Sequence, residues 1–538
     1  MNLSLLEQLP PELLEHLFSF LDLSSLLSLS STSSSLHSLI SPHYLEYFSK
    51  HLLNYSPHTL SHLPFHRLSP WSHRALWTSA VERNFTSLHF RAHVLGGPQR
   101  TYPKCLPCVK LWHAAQGQGE VLIARGGGIE TWLADRDGAM RGADVLVEGV
   151  NGRAKDGPAG AGALEDITAL ADGLSAGEVT LARVNGLVQR LRVRADHRAQ
   201  GGPVVLREVA RYASPAAGKR AGSTTVQALS SAGGLLARAG TTRLRPPAIG
   251  EGGTATPKGD DPSTLSLAQS LAQRAAPKSH FVSVQALASP WVPPTTLPFS
   301  TKPWSVLVQP SASPSWLAVG HSGTSPLALV PLLPSGPLTA PNAWQHLAPS
   351  TYRTSVYGLC TPSAQCSPFP SNPEQTLIAA FYDSTTRVYD LRLPSSSVSS
   401  PLGSPDAGIL ADPHAPNEVL RLADPWSDDP SYSVTTGGSA GATIFTGSAR
   451  NAALRIFDVR SPARSMTAFA PGRDRSPIYG LAGEGSRVWG VTDVRGFGMD
   501  WYPWARGERV AFVGHGGRGE GSGGGGGELR WSCGEGKA

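Results

Sequence analysis

FYDSTTRVYDLR, Phe381 to Arg392, reads as a strand, a polar turn and a second strand, and GSARNAALRIFDVR, Gly447 to Arg460, repeats its plan. Both hold an Asp or Asn, three residues, Arg, two apolar residues, Asp, an apolar residue and Arg. VYGL at 356–359 likewise matches IYGL at 478–481, each followed after a turn by IAAFYD or VWGVTD. Fainter versions run through VLIARGGGIETWL (121–133), VTLARVNGLVQRLRV (179–193), LLARAGTTRLRP (235–246) and WLAVGHSGTSPLALVPL (316–332), each read as strand, turn, strand. Repetition at a fixed spacing means that each unit is one supersecondary element that buries its faces only by stacking on its neighbours. At roughly 40 to 45 residues per four-stranded unit, about seven units fill 105–512. Asp383, Asp390, Asn451, Asp458 and Asp493 are the expected turn residues, because short polar side chains bond nearby backbone and tolerate left-handed conformations.

Composition agrees with many short elements. The 538 residues include 58 Gly and 45 Pro, with 40% hydrophobic and only 16% charged residues. The formal charge of +6 is small over this length. No run of five basic residues occurs, so no nucleic-acid partner is expected. Five Cys, an odd number, suggest reduced thiols in the cytoplasm or nucleus rather than a disulfide framework.

The N-terminus has a different pattern. In LPPELLEHLFSFLDLSSLLSL (9–29), Leu9, Leu13, Leu17 and Leu21 recur every four residues, and Leu14 and Phe18 widen the stripe, which predicts an amphipathic helix. Pro10 and Pro11 suit its first turn, where a missing N–H costs nothing. Asp22 or Ser24 can cap a second helix carrying Leu26, Leu27 and Leu29; Ser33 to Ser35 lead into a third with Leu36, Leu39 and Ile40, stopped by Pro42. Acidic residues and prolines interrupt the run too often for a membrane span, and the first basic residue is Lys50, so a signal peptide's charged start is missing. Three helices this short bury little by themselves, which points either to a partner or to docking on the rest of the chain.

In order and spacing, Leu9-Pro10, Glu12-Leu13, Leu17-Phe18, Leu21, Leu26 and the Leu-Ser-Ser-Thr-Ser tract before Leu36 resemble an F-box. Leu36 stands where many family members carry Trp. The resemblance implies that Leu9, Pro10, Leu13, Leu14, Leu17, Phe18, Leu21, Leu26 and Leu29 bind a Skp-type adaptor, and through it a cullin. The repeated hairpins are similar to the last hairpin of a WD repeat, with Tyr389-Asp390 and Phe457-Asp458 in place of Trp-Asp and with Asp500-Trp501 inverted. The implied architecture is α+β and multidomain: an F-box over 1–45, a helical bridge over 46–104, and an all-β propeller of about seven blades over 105–512. Disordered insertions near 247–263 and 394–431 and a Gly-rich tail over 513–538 complete it. The implied role is substrate recognition in an SCF-type ubiquitin ligase, with protein substrate gripped by loops on one face of the ring at the channel mouth. Arg outnumbers Lys, which would suit an acidic ligand. A non-degradative scaffold and a propeller enzyme are the other readings.

Catalytic and metal motifs are sparse. Cys105 and Cys108 form a CxxC, but a structural zinc needs four ligands and the next cysteine pair is Cys360 and Cys366, so two ordinary thiols are expected. GGGIETW lacks the P-loop Lys and a following helix, and no GxSxG elbow anchors a hydrolase triad. No cofactor and no enzymatic activity are expected.

Overall fold

The computed structural model describes residues 9–19, 21, 23–40, 84, 88, 90–95, 107–112, 121–126, 128–134, 140–148, 167–175, 177–193, 204–212, 221–244, 278–312, 314–333, 336–337, 339–340, 343–350, 352–362, 373–393, 417–438, 442–462, 465–471 and 475–501.

Two helices open the chain, α1 over Pro11–Ser19 and α2 over Leu23–Ser30, and a third, α3, covers 34–40. Pro11 takes the first helical position of α1, and the Pro10 carbonyl accepts from the N–H groups of Leu13 and Leu14 at 3.0 and 3.1 Å. Ser33 caps α3, its Oγ accepting from Leu36 N–H at 3.2 Å.

The β portion is a series of four-stranded antiparallel meanders, seven of them among the described residues. Blade 1 is Cys108–Leu111, Val121–Arg125, Gly128–Ala134 and Met140–Glu148; blade 2 is Ile167–Asp172, Glu178–Arg183, Val188–Val193 and Val204–Tyr212. Blade 3 is Ala221–Ala232, Leu235–Leu244, Lys278–Ala286 and Thr295–Phe299. Blade 4 is Pro303–Gln309, Trp316–Gly323, Leu327–Leu333 and Gln345–Leu347, with the short strand Gly336–Pro337 beside its third strand. Blade 5 is Thr354–Cys360, Thr376–Phe381, Thr386–Asp390 and Glu418–Leu422; blade 6 is Ser431–Gly437, Thr443–Ser448, Ala453–Asp458 and Ser465–Phe469. Blade 7 is Gly480–Glu484, Arg487–Val491 and Gly496–Asp500, completed from the other end of the chain by Arg91–Leu95.

That last strand closes the ring. Arg91 pairs with Asp500 and Leu95 with Gly496, so the outer strand of the last blade precedes the first blade in sequence. The first strands of successive blades touch one another all the way round, blade 7 back to blade 1 included. Seven buried apolar clusters follow the same order, one between each pair of neighbouring blades. Each blade is therefore covered on both faces, and its second strand reads as an unbroken buried run, as in TLIAAF and TIFTGS. Alternation divides that run: Leu377, Ala379 and Phe381 pack toward blade 4, Ile378 and Ala380 toward blade 6. The outcome is a propeller-like ring in which strand edges are paired or short.

Several boundaries differ from the sequence expectation. The bridge does not reach residue 104, because Arg91–Leu95 belongs to blade 7. The stretch read as an insertion over 394–431 contains Glu418–Leu422, the outer strand of blade 5, held to Thr386–Asp390 by backbone pairing; residues 394–416 lie outside the described residues. LLARAGTTRLRP is not a hairpin: Leu235–Leu244 is one strand, and its partner begins at Lys278. The glycine in it lies mid-strand, against Phe281. The insertion at 247–263, the tail at 513–538 and most of the bridge lie outside the described residues. Blades 1 and 2 also share a feature no pattern suggested, a parallel pairing of their outer strands from Val145 opposite Val204 to Glu148 opposite Arg207.

Candidate functional sites: the leucine face and the channel mouth

The helical stripe divides in two. Leu14 and Phe18 are buried, at 3% and 1% exposure, as are Leu36 and Ile40 of α3. Leu13 and Leu17, one step round the same helix, and Leu9 just before it are exposed at 54, 39 and 36%. Pro10 is exposed, Leu21 and Leu29 are half-buried, and the side chain of Leu26 lies outside the described residues. The expectation that all nine face a partner is thus corrected for Leu14 and Phe18, whose area is already removed from water within the folded chain. The contiguous apolar surface left over is the Leu9, Leu13, Leu17 row.

The second site is the mouth of the central channel. Each blade begins with a strand along the channel, and four of these strands carry in turn an aromatic residue, a small residue and an apolar one: Trp304-Ser305-Val306, Tyr357-Gly358-Leu359, Tyr432-Ser433-Val434 and Tyr479-Gly480-Leu481. The small residue faces the next blade. Ser305 Oγ donates to the Val356 carbonyl at 3.1 Å and Ser433 Oγ to that of Ile478 at 2.9 Å. A Cβ on Gly358 would lie 2.9 Å from Val434 N, so the converging strands leave no room for one. The aromatic residue before it is thereby turned into the channel.

The result is an arc over blades 4 to 7. Ring centroids are 4.8 Å apart for Trp304 and Tyr357, 4.8 Å for Tyr357 and Tyr432, and 6.0 Å for Tyr432 and Tyr479. Tyr382, on the turn between the second and third strands of blade 5, adds a fifth ring at 5.8 Å from Tyr357. Blades 1 to 3 present Pro107, Thr168 and Gln227 instead. Together they enclose a cavity of about 630 Å³, within the range that binds small ligands or a few residues of peptide. Burial holds all three channel tyrosines above the usual phenol range, Tyr357 up to about 12, so their hydroxyls stay neutral donors.

One charge sits in this wall. Lys302 Nζ lies 3.5 Å from the centroid of Trp304, a cation–π contact. Gln227, in the amide orientation that satisfies both its ends, accepts from Lys302 Nζ at 3.3 Å and donates to the Pro303 carbonyl at 2.9 Å. Burial, helped by the charge of Lys278, lowers the Lys302 ammonium to about 8. The cavity lining contains no Arg among the described residues, so the abundance of Arg does not translate into an Arg cluster in the channel.

The turn residues occupy two kinds of place. Asp383 sits on the turn between the second and third strands of blade 5, its Oδ1 accepting from Thr385 N–H and Oγ1 and its Oδ2 from Arg387 at 2.7 Å. Asp390 and Asp458 each end a third strand and clamp the Arg two residues on, through its backbone N–H and its guanidinium. Asn451 has a left-handed φ of 58° on the corresponding turn of blade 6, and Asp493 lies on that of blade 7. Among the described residues no group of three or more His, Cys, Asp or Glu could hold a metal, and Cys360 is a free thiol. Cys105 lies outside the described residues. Among them too, no helix is long and apolar enough to cross a membrane.

Sequence reasoning missed the channel residues. VYGL and IYGL were matched as strands, but their shared aromatic, and its likeness to WSVL and YSVT, carried the signal for a channel-facing position.

Residues 6–47 match the family model for the F-box domain. No curated protein matches. Among solved structures, the WD40 β-propeller domain of Doa1 is similar at 10% identity and a TM-score of 0.43, covering 76% of this chain and 97% of that one. The chain thus carries a match to the F-box domain at 6–47 ahead of a propeller-like ring of four-stranded meanders. That architecture is one of protein-interaction adaptors.

Proposed function

We propose that this chain is the substrate-recognition subunit of an SCF-type ubiquitin ligase, acting in the cytoplasm or nucleus without catalytic chemistry of its own. The observation that carries the reading is the F-box at 6–47, on which Leu9, Leu13 and Leu17 stand exposed in a row. A Skp-type adaptor covers that row and links the chain to a cullin; the propeller holds the protein substrate. Tethering both on one chain raises the concentration of acceptor lysines near the ubiquitin-charged enzyme to the order of millimolar. The test is capture of a purified Skp-type adaptor by the wild-type chain and by a Leu9→Ala, Pro10→Ala, Leu13→Ala variant. Capture should be lost in the variant while the propeller's unfolding midpoint is unchanged; full retention would refute the assignment. Stabilisation of captured substrates on depletion of the chain distinguishes a ligase receptor from a scaffold.

A further inference from the structure

We infer that the channel mouth binds the free C-terminal carboxylate of a peptide whose last residue is apolar or aromatic. This rests on the reading of the propeller as the substrate-holding half of the protein.

Charge comes first. Lys302 is the only charged residue lining the cavity among the described residues, and that lining includes no carboxylate. Its ammonium is half-buried and contacts a ring face and one amide oxygen, an incomplete substitute for water. An anion therefore completes the site. A phosphate calls for clustered, bidentate guanidinium donors, and this lining offers a single ammonium and no Arg. A singly charged carboxylate fits better.

Geometry then selects the kind of carboxylate. Lys302 lies just before the strand with its Nζ over the Trp304 ring, and the wall of Tyr357, Tyr432 and Tyr479 continues round the ring from there. A ligand must place its anion on Lys302 and apolar area on the neighbouring rings. A C-terminal residue does both, because its carboxylate and its side chain branch from one Cα. An internal Asp or Glu spends its only side chain on the cation and has nothing left for the rings. The strands surround the channel on every side, which a chain end can enter without doubling back. The neutral phenols of Tyr432 and Tyr479 are there to meet the peptide's own N–H and C=O groups.

The test uses the full chain and N-terminally labelled decapeptides ending in Phe, Leu or Gly, each as free acid and as amide, read by fluorescence anisotropy. The free acids ending in Phe or Leu should bind about tenfold or more tightly than their amides, the scale of one lost charge-assisted hydrogen bond. Lys302→Met should lower the free acid to the level of the amide, and Lys302→Arg should keep the discrimination, with equal thermal midpoints showing that both fold. Tyr432→Ala should weaken acid and amide alike. Equal binding of acid and amide would overturn the inference. So would an amide with an internal Asp binding as tightly as the free acid, displacement of the peptide by phenylpropionate at equal concentration, or no binding at about 1 mM. Adaptor capture is measured on the same preparation: capture without peptide discrimination sinks this inference and leaves the ligase reading, and discrimination without capture does the reverse.

Discussion

Blades 5 and 3 each sink one guanidinium to 1% exposure, and they surround it differently. In blade 5, Arg387 donates to Asp383 at 2.7 Å and to Thr385 Oγ1 at 3.0 Å, lies 3.8 Å from Glu418 and stacks on Phe381 at 4.2 Å. In blade 3, Arg238 meets only neutral groups among the described residues, Ser283 Oγ at 2.7 Å and Gln285 Oε1 at 3.0 Å, and burial lowers its guanidinium to about 10. A desolvated charge is held in one case by a countercharge and in the other only by dipoles. The first arrangement makes the carboxylate indispensable; the second has none to lose.

The largest effect should come from breaking the blade 5 arrangement. Asp383→Ala removes the main countercharge from Arg387 and the acceptor for Thr385 N–H, and should cost about 3 kcal/mol or more in chemical denaturation. Asp383→Asn, which keeps an acceptor for the turn, should recover part of the loss. A change below about 1 kcal/mol for Asp383→Ala would show that Glu418 alone balances the guanidinium.

A third buried ionisable group sharpens the contrast because it can discharge. His93, on the closing strand, is 5% exposed. Burial lowers it from 6.5 to about 4; the charge of Asp500 opposes that shift, and Arg91 and Arg487 add to it. The folded pKa lies below the unfolded one, so the unfolded chain takes up the proton first. His93 therefore contributes in full above about pH 6.5, and about 3 kcal/mol is lost as pH falls toward 4. Replacing His93 by Leu should flatten that window relative to wild type. Unchanged pH dependence would mean that the closing strand opens before the ring unfolds.

How far sequence reached follows from the same chemistry. Asp383 with Arg387 and Asp458 with Arg460 are local pairs, separated by four and two residues, so blades 5 and 6 announced themselves in a linear pattern. The counterparts in blades 3 and 4 act across distant stretches, such as Arg238 on Ser283 and Trp316 on the Glu374 carbonyl, and leave no local trace. The same reason hid the closing strand, whose partner lies some four hundred residues on. The channel arc was half legible: the aromatic, small, apolar repeat is in the sequence, but only convergence of the strands shows that its aromatic faces inward.

Asp458 tests whether a shared motif means a shared role. Its carboxylate is 25% exposed and its partner Arg460 is 42% exposed, against 8% and 1% for Asp383 and Arg387. Water screens the outer pair, so Asp458→Ala should cost about 1 kcal/mol or less, chiefly through the Arg460 N–H it accepts from. A loss as large as that of Asp383→Ala would mean that these clamps, rather than the buried guanidinium, hold the blades in shape.

The smallest effect is expected where intuition about a buried Arg would place a large one. Arg238→Met removes a guanidinium that pays desolvation without a countercharge, and the Met chain retains much of its stem's packing against neighbours in blade 3. Against that gain, Ser283 Oγ loses the donor at 2.7 Å and Gln285 Oε1 the donor at 3.0 Å, both on the third strand of the same blade. Each orphaned neutral group costs about 1 kcal/mol or more when it cannot turn to another partner. The two contributions oppose, and the net change should fall within about 1 kcal/mol of wild type in either direction. Adding Ser283→Ala and Gln285→Leu removes the orphaned groups and should bring the triple variant to or above wild-type stability, because only apolar packing then remains at that depth. A triple variant still less stable by about 3 kcal/mol would show that Arg238 is balanced by a negative charge from elsewhere in the chain, and that blades 3 and 5 bury their charges alike.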